Sequence, residues 1–396
     1  MTKKTPDVYA RALALHEALN GKISTELKAP LNDAGDLSLL YSPGVAEPCR
    51  VIARDPEAAF DLTWKANTVA VITNGTAILG LGDLGAVPSL PVMEGKCALF
   101  KRFGGLNAVP VVIDEKDPEK FIAIVEAIAD TYGGINLEDI KAPECVTIER
   151  ALKKSLSIPV FHDDQHGTAI VVTAGLINAL KLVHKTPEEC TVVLSGTGAA
   201  GSSIIGMLNQ LGVHNIYGFN IDGLLNRNHI AQYNPLNREL AAVTNRDAEE
   251  LTLEEAMAKA DIFIGVSVPD KITGDMVRSM RRDPIVFALA NPEPEIPFDA
   301  ARDAGARVVA TGRSDYPNQV NNVLAFPGLF KGALRVRATE INEEMKFAAA
   351  EALAALVSED ELSDEHVIPS PFDPRVADAV AESVAATAQR CGIAAR

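Results

Sequence analysis

Residues 191–211 constrain the fold more than any other stretch. Thr-Val-Val-Leu-Ser at 191–195 is a short, β-branched run; Gly196, Thr197, Gly198, Ala199, Ala200 and Gly201 follow at once, and Ser-Ser-Ile-Ile-Gly-Met-Leu at 202–208 has helical character. A G-x-G-x-x-G turn is informative only in that setting. The strand delivers the turn, the glycines let backbone N–H groups approach an anion, and the helix N-terminus adds its positive end. Residues 196–201 therefore read as the pyrophosphate loop of a dinucleotide site. Strand-like runs at Val192–Ser195, Asn215–Phe219, Asp261–Val266, Pro284–Ala290 and Arg307–Ala310 alternate with helical runs at Ala200–Leu211, Leu253–Ala260 and Gly274–Arg281. That alternation predicts a parallel, doubly wound, Rossmann-like sheet. Gly332–Ser358 and Pro374–Cys391 are Ala-rich and read as closing helices.

A chain of 396 residues is long enough for two domains. The rhythm changes after Ile158–Phe161, and the division is expected as 1–165 for an N-terminal α/β catalytic domain and 166–396 for the dinucleotide-binding domain. In the first part, Thr68–Thr73 and Val109–Ile113 read as strands, with Ala77–Leu81 a candidate continuation of the first. Arg11–Leu19, Met93–Phe103 and Pro118–Thr131 read as helices, and Thr168–His184 as a long buried one.

A net charge of −16 sets the chain against phosphate backbones and anionic lipid, so neither nucleic acid nor a membrane is an expected partner. Five cysteines without a CxxC pair fit a reducing cytoplasm. The first residues lack an apolar signal segment, and no run is expected to reach bilayer-spanning length.

A second G-x-G-x-x-G, Gly80 to Gly85, is followed by Pro88 and Pro91. The prolines disfavour an immediate helix, so this motif reads as a tight active-site or structural loop. Downstream of the first motif, Asn220 occupies the place of the usual ribose-binding acid, with Asp222 two residues on and Arg227 within reach of a 2′-phosphate. NAD and NADP both stay open, with Asp222 tilting toward NAD. Glu138 and Asp139, and Asp163 and Asp164, follow strand-like segments; converging carboxylates require a cation, and oxygen-only donors favour Mg²⁺ or Mn²⁺. His162 and His166 imitate a zinc-protease helix, but Pro159 and Gly167 frame the stretch and Asp163 stands where such a motif has Glu; both histidines read as hydrogen-bonded structural groups. Lys96 lies in apolar surroundings, where a nearby divalent cation would depress its pKa and make it a base. Tyr41, in a Pro-Gly turn, is placed to present a phenol to a cleft.

Several long motifs resemble the malic enzyme family in its shorter prokaryotic branch. They are Tyr-Ser-Pro-Gly-Val-Ala-Glu-Pro-Cys at 41–49, Gly-Leu-Gly-Asp-Leu-Gly-Ala at 80–86, Met-Glu-Gly-Lys-Cys-Ala at 93–98 and Gly-Gly-Ile-Asn-Leu-Glu-Asp-Ile-Lys-Ala-Pro-Glu-Cys at 133–145. Further along come Pro-Val-Phe-His-Asp-Asp-Gln-His-Gly at 159–167, Ala-Asn-Pro-Glu-Pro-Glu-Ile at 290–296 and Asn-Gln-Val-Asn-Asn-Val-Leu-Ala-Phe-Pro-Gly at 318–328. The resemblance covers nearly the whole chain. It implies Tyr41 as proton donor, Lys96 as general base, Asp163 as the acid that orients the lysine, and Glu138, Asp139 and Asp164 as metal ligands. Asn291 and Asn321 match asparagines near substrate and nicotinamide. The larger-subunit branch has a malate-gripping arginine before its Ile-Leu-Gly-Leu-Gly-Asp stretch; here Thr76 and Ala77 stand there, leaving Asn74 and the asparagines of 318–322 as candidates. With the sequence ending at Arg396, the acyltransferase-like domain of some relatives is not expected.

The resemblance further implies a homodimer or larger assembly and oxidative decarboxylation of malate to pyruvate. A malolactic enzyme releasing lactate and a non-catalytic nucleotide sensor are the alternatives. The Tyr41, Lys96, Glu138, Asp139 and Asp164 set argues against the sensor, which needs no base and metal ligands together.

Overall fold

The computed structural model describes residues 7–78 and 81–395. The chain opens on four helices that bury none of their side chains: α1 (Val8–Leu19), α2 (Ala34–Leu40), α3 (Ala46–Arg54) and α4 (Ala59–Leu62). Asp33 starts α2 by accepting the N–H groups of Gly35 and Asp36. Apolar side chains on this arm face outward: Leu13 is 63% exposed, and Leu27 and Leu39 are each 79% exposed.

Four parallel strands follow in the order β2-β1-β3-β4: β1 (Thr68–Thr73), β2 (Asn107–Val112), β3 (Gly134–Leu137) and β4 (Val160–His162). Every residue of β1 is buried, as a central parallel strand covered on both faces requires. α5 (Ala86–Leu99), α6 (Pro118–Ile128) and α7 (Glu144–Ser155) make the crossovers.

Two expectations fail here. The 77–81 run does not extend β1; Ile78 makes only an isolated bridge with Gly82, and Leu79 and Gly80 lie outside the described residues. A helix does follow Gly85 directly. Pro88 falls in the first turn of α5, where the ladder needs no donor, and Pro91 removes only the N–H that would serve the Val87 carbonyl.

α8 (Asp163–Val183) leads to the second sheet. Its 21 residues are long and apolar enough to cross a membrane, against the expectation that no run reaches that length, but most of it is buried as a core helix. The second sheet has the order β10-β9-β8-β5-β6-β7. Its strands are β5 (Thr191–Ser195), β6 (Asn215–Asn220), β7 (Gly223–Leu224), β8 (Ile262–Gly265), β9 (Ile285–Ala288) and β10 (Val308–Thr311), with only β7 antiparallel. α9 (Ala199–Leu211), α10 (Pro235–Val243), α11 (Leu253–Met257), α12 (Gly274–Ser279) and α13 (Phe298–Asp303) connect them. The strand order reverses between β5 and β8, which opens a crevice at their C-terminal ends.

α14 (Phe326–Arg335), α15 (Glu343–Ala355) and α16 (Val376–Arg390) close the chain. The helix expected over 332–358 is broken between α14 and α15, where Arg337 adopts φ 48°. α14 packs back on the first sheet: the Phe326 and Phe330 rings lie 4.6 and 5.4 Å from Phe100. Gly134 of β3 admits that helix, because a Cβ there would meet the Phe330 ring at 3.0 Å. The expected 165/166 division falls in the first turn of α8.

Candidate active site

Three segments bring opposite charges together below the first sheet's strand ends. Lys96 stands near the end of α5; Glu138 and Asp139 follow β3; Asp163 and Asp164 occupy the first turn of α8, where the helix dipole favours carboxylates. Lys96 Nζ lies 2.7 Å from Asp163 Oδ2, 3.1 Å from Glu138 Oε1 and 4.4 Å over the Phe326 ring. Asn136 donates to Glu138 Oε2 at 2.9 Å, and the Asp139 N–H donates to Asp164 Oδ2 at 2.8 Å. Glu138, Asp139 and Asp164 each offer an oxygen, all within 4.8 Å of one another.

The electrostatics of the cluster show how its charges bear on one another. Burial pushes the Glu138 carboxyl well above the ordinary range; Lys96 opposes the shift, while Asp164, Asp163 and Asp139 add to it. Burial alone would lower Lys96, but Asp163 and Glu138 overcome it and hold the ammonium above its usual range. Three converging, mostly buried oxygen donors fit a hard divalent cation, whose charge would relieve Glu138 and reverse the pull on Lys96.

Asp163 is itself held. Asn322 Nδ2 donates to its Oδ2 at 2.8 Å, and Thr168 Oγ1 steadies Asn322 at 3.0 Å. One turn on, His166 Nε2 meets Glu149 Oε2 at 2.8 Å, while Glu149 Oε1 accepts the His162 N–H at 3.2 Å. His166 Nδ1 faces Ser203 Oγ and Lys346 Nζ, each at 3.1 Å. A lysine only donates, so Nδ1 accepts and Nε2–H donates to Glu149. Burial lowers His166 to about 4, leaving it neutral. His166 is thus a hydrogen-bonded structural group, as expected. The stretch is helical from Asp163 despite Gly167, because the helix begins after Pro159 rather than across it. His162 departs from expectation: its ring nitrogens are buried without a hydrogen-bond partner among the described residues, with Nδ1 3.9 Å from Asp164.

The dinucleotide loop connects two cavities. Gly196 adopts φ 105°, and a Cβ on Gly201 would lie 1.8 Å from the Gly196 carbonyl oxygen, so neither position tolerates a side chain. Gly196, Thr197, Gly198 and Asn220 line a cavity of about 350 Å³ that also contains Lys271. Ala199 and Ala200 line a second, of about 520 Å³, shared with Lys96, Glu138, Asp139 and Asp164. Asn291 and Asn321 line this second cavity too.

Other expected site residues are elsewhere. Asp222 is exposed, outside the nucleotide cavity, and its N–H donates to Asn220 Oδ1 at 2.7 Å; Arg227 donates to the Arg246 carbonyl. Asn74 lines neither cavity; its Nδ2 donates to the distant Glu115 carbonyl at 3.3 Å and its Oδ1 accepts from Thr76 at 2.7 Å. Asn318 bonds three backbone groups, of Val309, Asp364 and Val367. Tyr41 caps α2 and stands 68% exposed, lining neither cavity.

Some residues went unrecognised in the sequence. In the sequence Asn322 stands only among the substrate-gripping candidates of 318–322, with no sign of its bond to Asp163. Glu149 carried no local signal. Glu295, in the Ala-Asn-Pro-Glu-Pro-Glu stretch, is fully buried and accepts the N–H groups of Ser267 at 2.7 Å and Ala290 at 3.0 Å. It thereby ties together the strand-end loops of β8 and β9.

Residues 20–153 match the family described as malic enzyme, N-terminal domain, and residues 165–389 match malic enzyme, NAD binding domain. A bifunctional malic/malolactic enzyme of Bacillus subtilis is 54% identical, covering 97% of this chain and 93% of its own length. An NAD-dependent malic enzyme of Geobacillus stearothermophilus is 52% identical, over 99% of this chain and 81% of its own. The crystal structure of a malic enzyme from Pyrococcus horikoshii has a TM-score of 0.92 at 46% identity, covering 96% of this chain and 92% of that one. By sequence along both halves and by the arrangement of both sheets, the chain belongs to the malic enzyme family.

Proposed function

We propose that this protein oxidises malate and decarboxylates the product to pyruvate and carbon dioxide, with NAD or NADP as electron acceptor and Mg²⁺ or Mn²⁺ at Glu138, Asp139 and Asp164. The observation that carries this reading is one cavity shared by Lys96, the three carboxylates and the dinucleotide loop at Ala199 and Ala200. When bound, the cation supplies Lewis acidity at the C2 oxygen and the nicotinamide accepts hydride. Lys96 takes the C2 hydroxyl proton at Nζ, Asp163 holds that nitrogen in place, and Asn322 holds Asp163. Asn291 and Asn321 orient substrate and nicotinamide at the cavity wall.

Tyr41 is the proton donor to C3 in this reading, yet it does not line its own chain's cavity. A homodimer supplies the missing phenol from the partner's arm and covers the apolar side chains of α1 and α2 that the chain alone leaves exposed. The boundary near 165/166 separates a catalytic from a nucleotide-binding unit, with α14 shared. No carboxylate among the described residues lines the nucleotide cavity, so nothing there repels a 2′-phosphate; the Geobacillus stearothermophilus relative supports NAD. All five cysteines are free, which suits a cytoplasmic location.

A second reading, conversion of malate to lactate, is supported by the name of the Bacillus subtilis relative. Product analysis separates the two: pyruvate with net reduced cofactor supports the first, and lactate without it supports the second.

A further inference from the structure

Malate is a dianion, so its second carboxylate calls for a positive group of its own. Among the described residues lining that cavity, the cations are Lys96 and Lys141. Lys96 is committed to Glu138 and Asp163, with 11% of its side chain exposed. Lys141 is differently placed. Its side chain is 51% exposed and its ion-pair partner is Glu144 at 3.3 Å, so an ammonium with three donors keeps N–H groups for another acceptor.

The backbone of Lys141 is fixed. Its N–H donates to Thr76 Oγ1 at 3.1 Å, and Thr76 Oγ1 donates to Asn74 Oδ1 at 2.7 Å. Thr76 thus holds the backbone that carries the Lys141 side chain. Lys141 follows Asp139 by two residues, so one loop after β3 carries two cation-binding carboxylates and a positive side chain.

We propose that Lys141 grips the distal, C4 carboxylate of the dicarboxylate substrate; this rests on the function proposed above. Its half-exposed state suits the chemistry. The C3–C4 bond breaks with its electron pair left on the three-carbon fragment, and the carboxylate departs as neutral carbon dioxide. A fully buried cation would stabilise the starting carboxylate more than the transition state, whereas a solvated one binds without holding it back.

The test is calorimetric titration of malate, and separately of oxalate, into Mn²⁺-loaded protein without nucleotide. Oxalate chelates a metal ion but has no distal carboxylate. Lys141→Met should weaken malate roughly 10- to 100-fold, the value of a charged hydrogen bond, and leave oxalate within about twofold; Lys141→Arg should recover most of the loss. Unchanged malate affinity in Lys141→Met overturns the assignment. So does an equal loss for oxalate, which would put the lysine at the metal end. Wild-type protein that binds neither ligand would overturn the underlying function, and the assignment with it.

Discussion

A single methyl group at Gly167 should disable the site without unfolding the protein. Gly167 lies one helical turn after Asp163, and a Cβ there would stand 2.1 Å from Asp163 Oδ1 and 3.2 Å from Asn322 Cβ. Ordinary contact begins near 3.4 Å, so the Asp163 carboxylate must retreat by roughly 1.3 Å. It moves as a rigid plane. Oδ2 therefore leaves both Lys96, now at 2.7 Å, and Asn322, at 2.8 Å. Stripping a fully buried carboxylate of its partners costs about 3–5 kcal/mol, well above the 0.5–1 kcal/mol that alanine gains over glycine in a helix. The protein relaxes by reorienting the side chain, and Lys96 loses its anchor. A misplacement near 1 Å at a reacting group costs about 100-fold in rate. Gly167→Ala should thus lose about two decades of kcat for malate oxidation. Gly206, inside α9 with nothing within 4 Å of its Cβ position, is the control: Gly206→Ala should be as active as wild type and more stable by roughly 0.5–1 kcal/mol. Steady-state rates and thermal melts read both outcomes. Gly167→Ala with kcat within threefold of wild type would refute the claim that Asp163 positions Lys96.

Other consequences follow from the same contacts. Asp139→Asn and Asp164→Asn should each weaken Mn²⁺ binding roughly tenfold or more by equilibrium titration, and unchanged affinity in both would remove the carboxylate cluster as the metal site. Glu295→Gln turns one acceptor toward an N–H group as a second donor, at about 1–3 kcal/mol; NAD(P)H affinity by fluorescence should fall about tenfold while Mn²⁺ affinity holds, and a nucleotide affinity equal to wild type would count against it. Stability should be level above pH 6.5 and decline toward pH 4. Folded His166, lowered to about 4 by burial, stays neutral where the unfolded chain takes up a proton near its ordinary value. The slope is at most about 1.4 kcal/mol per pH unit. Glu149 is held below its usual range by His166 and nearby lysines despite burial, and is ionised in both states across the upper part of that window, so it adds no slope there. Denaturant titrations at pH 7 and 5 check the sign; His166→Asn should flatten the difference, and a wild type already flat would contradict it.

The parts of the structure legible in the sequence are those encoded by near neighbours. Thr68–Thr73 is β-branched at every position but Ala70 and is a fully buried strand with those bounds. The glycine loop at 196–201 sits between the strand and helix read around it, and Glu138, Asp139 and Asp164 do converge. The misreadings have local causes as well. Pro88 and Pro91 looked like helix breakers, yet one falls in the first turn and the other removes one bond of α5. Asn74, a substrate candidate in the sequence, bonds Thr76 and the distant Glu115 carbonyl. Asp222, the expected ribose acid, stands exposed with its N–H donating to Asn220 Oδ1. What escaped reading was set by distant chain segments. Glu149 reaches His166 across 17 residues, Asn322 reaches Asp163 across 159, and Lys346 reaches His166 across 180. No pattern within one element carries such pairings. Tyr41 is a further kind of case, because it stands 68% exposed and lines neither of the two cavities described.

The most direct test of the central claim follows reduced nicotinamide by absorbance in purified protein with malate, Mn²⁺ and either NAD⁺ or NADP⁺, with and without EDTA. The account predicts a rise that EDTA abolishes, matched mole for mole by pyruvate. No rise with either nucleotide in folded, Mn²⁺-binding protein, or lactate in place of pyruvate, would contradict it.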